Sequence, residues 1–243
     1  MTMHNPPLAP WLRRSTATQT LPGRWWLSFC VQMRRWLWCW LLNGSKTGKR
    51  AFDIIASLVA LILLGPLFLV IGAFIKLEDG GPVIFPQTRV GKFGREFKMY
   101  KFRSMCLDAE TRLQELLGKN QHREGVTFKI KNDPRLTRCG KWLRMFSLDE
   151  LPQFFNVLQG DMSLVGPRPP LPREVARYTL ADRRRLAAKP GITCFWQISG
   201  RSEIDFSGQV KLDVEYIETR NFLVDITILA RTIPAVLSAK GAC

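Results

Sequence analysis

Two adjacent carboxylates, Asp149 and Glu150, stand in the stretch SLDELPQFFNVLQGDMSLVGPRPP, residues 147–170. Leu151, Phe154, Phe155 and Leu158 recur there at helical spacing, and Gly160 is placed to end the helix. Pro152 is tolerated only in a first turn, where its missing N–H would be unpaired anyway. The two acids are therefore predicted at the helix N-terminus, where free amides and the helix dipole keep a carboxylate ionised and help to hold a phosphate. An ionised aspartate is a candidate nucleophile. Ser147 and Glu150 also match the S-x-x-E capping box, an ordinary way to start a helix, so both readings stand at this level.

Two ionised acids side by side need positive compensation from a divalent cation or from arginines. Lys101, Arg144 and Arg168 are available in the sequence. Prolines on either side of Arg168, in Gly166-Pro167-Arg168-Pro169-Pro170, lower the entropy cost of aiming a guanidinium that can grip a phosphate bidentately. The same loop reads equally well as a solvated proline-rich turn. KPGIT at 189–193 and WQISGR at 196–201 combine a turn, an aromatic and Arg201, which suits a nucleotide base and phosphate. Asp133-Pro134-Arg135 has the form of a turn and is as easily structural. The only histidines are His4 and His122, so a His-dependent triad or an HExxH metal site is excluded.

These residues need a scaffold, and 243 residues at 46% hydrophobic content are enough for one sizeable core with attachments. The net charge of +16 admits nucleic acid, an anionic membrane face or a phosphorylated substrate as partner. Six cysteines form no CxxC pair and no disulfide or zinc framework, which favours a reduced compartment.

Residues 1–48 hold six Lys or Arg and no acid, with the run WWLSFCVQMRRWLWCWLL at 25–42, and are expected to be a basic, aromatic arm with an interfacial amphipathic helix. Residues 54–75 form 22 positions without a charge, fifteen of them Leu, Ile, Val or Phe. At roughly 0.3–0.6 kcal/mol each, these favour lipid insertion by about 5–9 kcal/mol, more than the roughly 3 kcal/mol that Pro66 costs a helix interior. The segment at 49–79 is therefore expected in a membrane, as a re-entrant hairpin bent at Gly65-Pro66 or as a single span. Positive flanks on both sides favour the hairpin. From residue 80 to 243 the chain reads as a basic α+β domain, mainly helical. It has short extended pieces near 82–87 and 97–101 and helices near 108–117, 212–217 and 225–237, the last with Asp225 as N-cap.

Taken together the motifs resemble those of the bacterial sugar transferase family, the monotopic polyprenyl-phosphate phosphoglycosyl transferases. The likeness rests on KRAFD from Lys49, the apolar segment with its Gly65-Pro66, QTRVGKFGREFKMYKFRSM from Gln87, NDPRLTRCGKWLRMFSLDELPQFFNVLQGDMSLVGPRPP from Asn132, and KPGITCFWQISGR from Lys189. The family often has Ser-Pro where this chain has Gly65-Pro66. The resemblance implies Asp149 as nucleophile, Glu150 as the ligand of Mg²⁺, and Lys101, Arg144 and Arg168 as contacts to phosphate or carboxylate groups; Arg201 stands beside them as a substrate-binding candidate on its own residue pattern. It implies a compact cytosolic catalytic domain on the cytoplasmic face of the bacterial inner membrane, in a short form without the multi-span region of larger relatives.

The activity so implied moves a sugar 1-phosphate from a UDP-sugar, with UDP-galactose or UDP-glucose favoured, to undecaprenyl phosphate. UMP leaves, an aspartyl-phosphosugar forms on the way, and exopolysaccharide or surface-glycan assembly begins. The resemblance leaves room for a homodimer and gives no role to nucleic acid. The alternatives are a non-catalytic membrane scaffold and a glycosyltransferase that releases UDP.

Overall fold

The computed structural model describes residues 21–116, 133–200 and 204–237. The chain divides into two compact units, Met1–Lys49 and Arg50–Cys243. Helix α1 is assigned over Leu21–Asp79, so the boundary falls within it. In the first unit the described part is helical from Leu21, with Phe29, Val31 and Met33 exposed.

The stretch Lys46–Asp79 is long and apolar enough to cross a membrane. Its helical assignment runs through Gly65 and Pro66 rather than stopping there. A proline forfeits one amide bond and crowds one carbonyl, which bends a helix without ending it. The end comes at Gly80, whose φ of 71° only glycine adopts freely and whose amide reaches the Lys76 carbonyl at 3.0 Å.

From residue 50 on, α1 has two faces. Asp53, Ser57, Ile71 and Ile75 are buried against the domain, while Ile55, Leu58, Ile62, Leu63, Leu69, Phe74 and Leu77 are exposed. Arg50 donates to the carbonyls of Val157 (2.6 Å) and Leu158 (2.9 Å). Asp53 accepts from Ser163 Oγ (2.8 Å) and the Leu164 amide (3.3 Å). At the other end Glu78 accepts from the amides of Arg138 (2.7 Å) and Cys139 (3.2 Å), and Asp79 pairs with Arg103. Midway, the Phe68 ring meets Phe102 edge-on at 5.1 Å. Both ends of the apolar segment are thus tied to one domain.

Strands β1 (Ile84–Val90) and β2 (Glu96–Phe102) form an antiparallel hairpin, with Gln87 opposite Met99. At seven residues each they are longer than the short pieces expected, because cross-strand pairing extends what local alternation only hints at. After α2 (Ala109–Leu116) and α3 (Arg138–Met145), a 3₁₀ turn at Leu148–Glu150 precedes α4 (Gln153–Gln159). Asn156 on α4 acts as a substitute strand along the open edge of β2: its Oδ1 accepts from the Tyr100 amide at 2.9 Å, and its Nδ2 donates to the Lys98 carbonyl at 2.7 Å.

Strand β3 (Ser163–Val165) pairs in parallel with β4 (Gly191–Thr193). Between them lie α5 (Pro172–Val175) and a 3₁₀ helix at Asp182–Ala187; after them come α6 (Phe195–Ser199), α7 (Phe206–Thr219) and α8 (Phe222–Leu237). Met99, Val157, Met162, Leu164, Val165, Tyr216 and Ile228 make the main core, and Ile71, Ile75, Phe102 and Leu143 a second one under α1. The described domain is α+β and mainly helical, as expected.

Two local expectations are corrected. Helix α8 begins at Phe222, and Asn221 rather than Asp225 receives an N-terminal amide, from Val224 at 3.0 Å. Asp225 turns inward and accepts from the Tyr216 hydroxyl at 2.8 Å, a buried partner that no local pattern reveals. The helix expected at 212–217 is longer, because Asp205 caps it from the Gly208 amide at 3.0 Å.

Candidate active site

The two acids do not sit in the first turn of an α-helix. Ser147 adopts φ 54°, in the left-handed region, and its side chain caps nothing. Asp149 and Glu150 occupy the 3₁₀ turn that follows, and α4 begins only after Pro152. The capping-box reading fails for both partners, since Glu150 turns away to the cations. The helix dipole therefore gives way to fixed charges as what compensates the acids.

Lys101, on β2, donates from Nζ to Glu150 Oε1 at 3.0 Å, and Arg168 Nη1 lies 3.6 Å from the same oxygen. Arg144, on α3, is half-buried and donates from Nε to Ser104 Oγ at 3.0 Å. These distances bring Lys101, Glu150 and Arg168 into one cluster, and Arg144 acts electrostatically on Asp149 from a neighbouring element. Arg201 lies outside the described residues.

The neighbouring acids titrate in opposite directions. Asp149 is only 6% exposed, and burial pushes its pKa up, with Lys101 opposing and Glu150 adding to the rise. Burial acts on Glu150 in the same sense, but Lys101 and Arg168 outweigh it and hold Glu150 down to about 2. The pair thus holds one permanently ionised carboxylate and one whose proton is retained more readily. Burial lowers the pKa of Lys101, against the pull of Glu150 and then Asp149.

The corner that carries Arg168 is built by close backbone approach. A Cβ on Gly166 would lie 2.4 Å from the Lys189 carbonyl oxygen, and one on Gly191 would lie 2.1 Å from the Gly166 nitrogen. The guanidinium of Arg168 then lies 5.8 Å from the centre of the Trp196 ring, a cation–π contact. Both acids and all three of these cations line a cleft of about 1360 Å³ that continues past Ile192, Thr193, Trp196 and Gln197.

Sequence reasoning missed two of its wall residues, Arg89 and Arg185, and left the Asp133-Pro134-Arg135 turn open between chemistry and structure. Arg89 on β1 is buried and joins the floor; its signal was the QTRVG motif, in which an arginine on a strand reads as solvated. Arg135 pairs with Asp133 at 2.6 Å, which makes the Asp-Pro-Arg turn a structural element of the cleft wall. Arg185 is paired with the fully buried Asp213, a contact between distant elements with no local signature.

A family model described as bacterial sugar transferase matches residues 44–239. The chain belongs to the bacterial sugar transferase family. It is 50% identical over 195 residues to the galactosyl transferase CpsE of Streptococcus agalactiae, covering 80% of this chain and 43% of that protein. It is 45% identical over 203 residues to the undecaprenyl-phosphate galactose phosphotransferase of Salmonella typhimurium, covering 82% and 42%. To the exopolysaccharide production protein ExoY of Rhizobium meliloti it is 42% identical over 196 residues, covering 79% of this chain and 87% of that protein. The chain thus spans less than half the length of the first two relatives and most of the third. Both carboxylates and the three cations fall inside the stretch matched to the sugar transferase family.

Proposed function

We propose that the chain is a phosphoglycosyl transferase that moves a sugar 1-phosphate from a UDP-sugar to undecaprenyl phosphate and releases UMP. The observation that carries this reading is the pair of oppositely titrating acids in a cation-lined cleft, on a domain that also carries an exposed apolar helix face. Galactose 1-phosphate is the favoured cargo, because two of the relatives are named for galactose.

In this reading Lys101 and Arg168 hold the diphosphate oxygens. Asp149, ionised beside Arg144, attacks the phosphorus that bears the sugar; a carboxylate–phosphorus bond forms and the bond to UMP breaks. The phosphate of undecaprenyl phosphate then attacks the same phosphorus and frees Asp149, leaving a lipid diphosphate sugar. Among the described residues no three His, Cys, Asp or Glu side chains converge. One or two carboxylates plus substrate phosphates are nevertheless the usual donor set for Mg²⁺, and Glu150 would hold it. Bound there, Mg²⁺ would offset charge on the diphosphate.

The direct test is nucleotide analysis after incubation with UDP-galactose, Mg²⁺ and undecaprenyl phosphate. UMP is expected; UDP as the product would instead mean direct glycosyl transfer. The acidic limb of kcat/KM for the donor should lie above the ordinary carboxylate range, because Asp149 must lose its proton and its pKa is raised. In Glu150→Gln the residual activity should show that limb at lower pH, since a neighbouring negative charge has been removed. A limb that stays in place or moves up would count against Asp149.

For the apolar helix we favour the re-entrant path on the cytoplasmic face. A crossing helix of 22 residues would separate its ends by about 33 Å, and the ties of Arg50 and Asp53 to 157–164 would then have to break while those of Glu78 and Asp79 remain. Cysteines introduced at Ser45 and Glu96 should react with an impermeant reagent from the same side of the membrane. Labelling of Ser45→Cys from the periplasm alone would establish a span.

A further inference from the structure

A proline has no amide hydrogen, so a corner of sequence Pro167-Arg168-Pro169-Pro170 can be fastened through its proline residues only by their carbonyls. Each proline carbonyl here accepts from outside the corner. Pro167 takes the Gly191 amide at 2.9 Å, Pro170 the Val90 amide at 2.9 Å, and Pro169 the Arg89 Nη1 at 3.0 Å. Two of these donors are backbone. Arg89 is the side-chain donor of the set, and it grips the residue that directly follows Arg168.

Its own position is fixed as well. Arg89 Nε and Nη2 both donate to Gln87 Oε1, at 3.1 and 2.7 Å, so the guanidinium is clamped on one edge by the strand and holds the corner with the other. It is 8% exposed. Its direct partners are an amide oxygen and a carbonyl, and among the described residues it forms no salt bridge. Burying a cation against neutral partners alone is costly: burial, with Arg168 acting in the same sense and Glu174 and Glu150 opposing, brings its pKa down to about 10. A rigid planar fork is what this geometry uses and what lysine lacks.

We propose that Arg89 is a positioning residue: by latching the Pro169 carbonyl to Gln87 it sets the direction in which Arg168 points toward Glu150 and the cleft. The ligand named below rests on the cleft being a nucleotide-sugar site; the latch itself does not.

The test is a double-mutant cycle between Arg89→Lys and Arg168→Lys, read as UDP affinity by calorimetry and accompanied by melting curves. Arg89→Lys should weaken UDP binding about tenfold through misaiming of Arg168, and the same change should cost less than about twofold once Arg168 is already lysine. Equal losses in both backgrounds, or no loss in the first, would overturn the proposal. Gln87→Leu, which frees only the rear of the latch, should give a smaller loss with the same dependence on Arg168, and it serves if Arg89→Lys does not fold. The second readout needs no nucleotide. The Nε–Hε resonance of Arg168 should be sharp and dispersed in the wild type and move to the solvent-averaged position in either latch variant; a resonance unchanged by both would overturn the proposal. UDP that fails to bind the wild type while this resonance responds would refute the nucleotide site and leave the latch standing.

Discussion

Asp149→Asn should lose sugar-phosphate transfer by about 10⁴-fold or more while its melting temperature stays level or rises. The loss follows from the chemistry: an amide neither attacks phosphorus nor forms the aspartyl-phosphosugar, and removal of a nucleophile leaves only binding and fixed charge to act. The stability follows from linkage. The folded pKa of Asp149 is raised above its unfolded value by burial, with Lys101 opposing and Glu150 adding to the rise, so its contribution to stability is complete below the unfolded pKa and is lost as pH rises through the folded one. At neutral pH the ionised side chain therefore opposes folding, and an isosteric neutral amide removes that penalty. Transfer assays and melting curves on the same preparation check both halves. A variant that melts much earlier than the wild type would show that Asp149 holds the fold together rather than doing chemistry.

Gly191→Ala should be among the most damaging single methyls in the catalytic domain, beside Gly140→Ala, whose Cβ would meet the Ser104 carbonyl oxygen at 2.0 Å. A Cβ on Gly191 would sit 2.1 Å from the Gly166 nitrogen and 2.6 Å from the Val165 carbonyl carbon, both backbone atoms with no rotamer to yield. Overpacking typically costs about 1–3 kcal/mol, and a backbone clash this close should fall at or beyond the upper end. The only relief is separation of β3 from β4, which would carry the Arg168 corner with it, so phosphate binding should fail before the domain unfolds. Gly65→Ala is the matched control. Nothing lies within 4 Å of a Cβ there, and alanine is worth about 0.5–1 kcal/mol over glycine inside a helix, so that variant should be neutral or slightly more stable. Denaturant titrations of the two variants, with UDP binding measured in parallel, test the contrast; equal midpoints for both would contradict the close approach described at Gly166 and Gly191.

What could be read from the sequence was what repeats locally. Charge-free positions over 54–75 define the apolar part of α1, the spacing of Leu151, Phe154, Phe155 and Leu158 gives α4, and Gly160 ends it with φ 94°. The dyad and three of its cations could be named because residue type and order carry them. What could not be read depends on residues far apart in the chain. Asn156 stands in for a β-strand only because α4 packs on β2, and Arg89 is a latch only because β1 ends beside Pro169. Asp225 looked like a cap until Tyr216, on the preceding helix, offered its hydroxyl. The placement of the acids was misjudged for a local reason: Ser147 enters the left-handed region, which residue preference assigns to glycine or asparagine, and this turns the chain into a 3₁₀ turn before the helix begins. Arg201 falls outside the described residues.

The central claim is that Asp149 accepts the sugar phosphate before the lipid does, and intact-mass analysis without lipid acceptor tests it most directly. Wild-type protein given UDP-galactose and Mg²⁺ should gain one hexose phosphate less water, release one UMP per chain, carry the added mass on the peptide containing Asp149, and lose it when undecaprenyl phosphate is added. UMP that appears only when both substrates are present, with no adduct at any time, would contradict it.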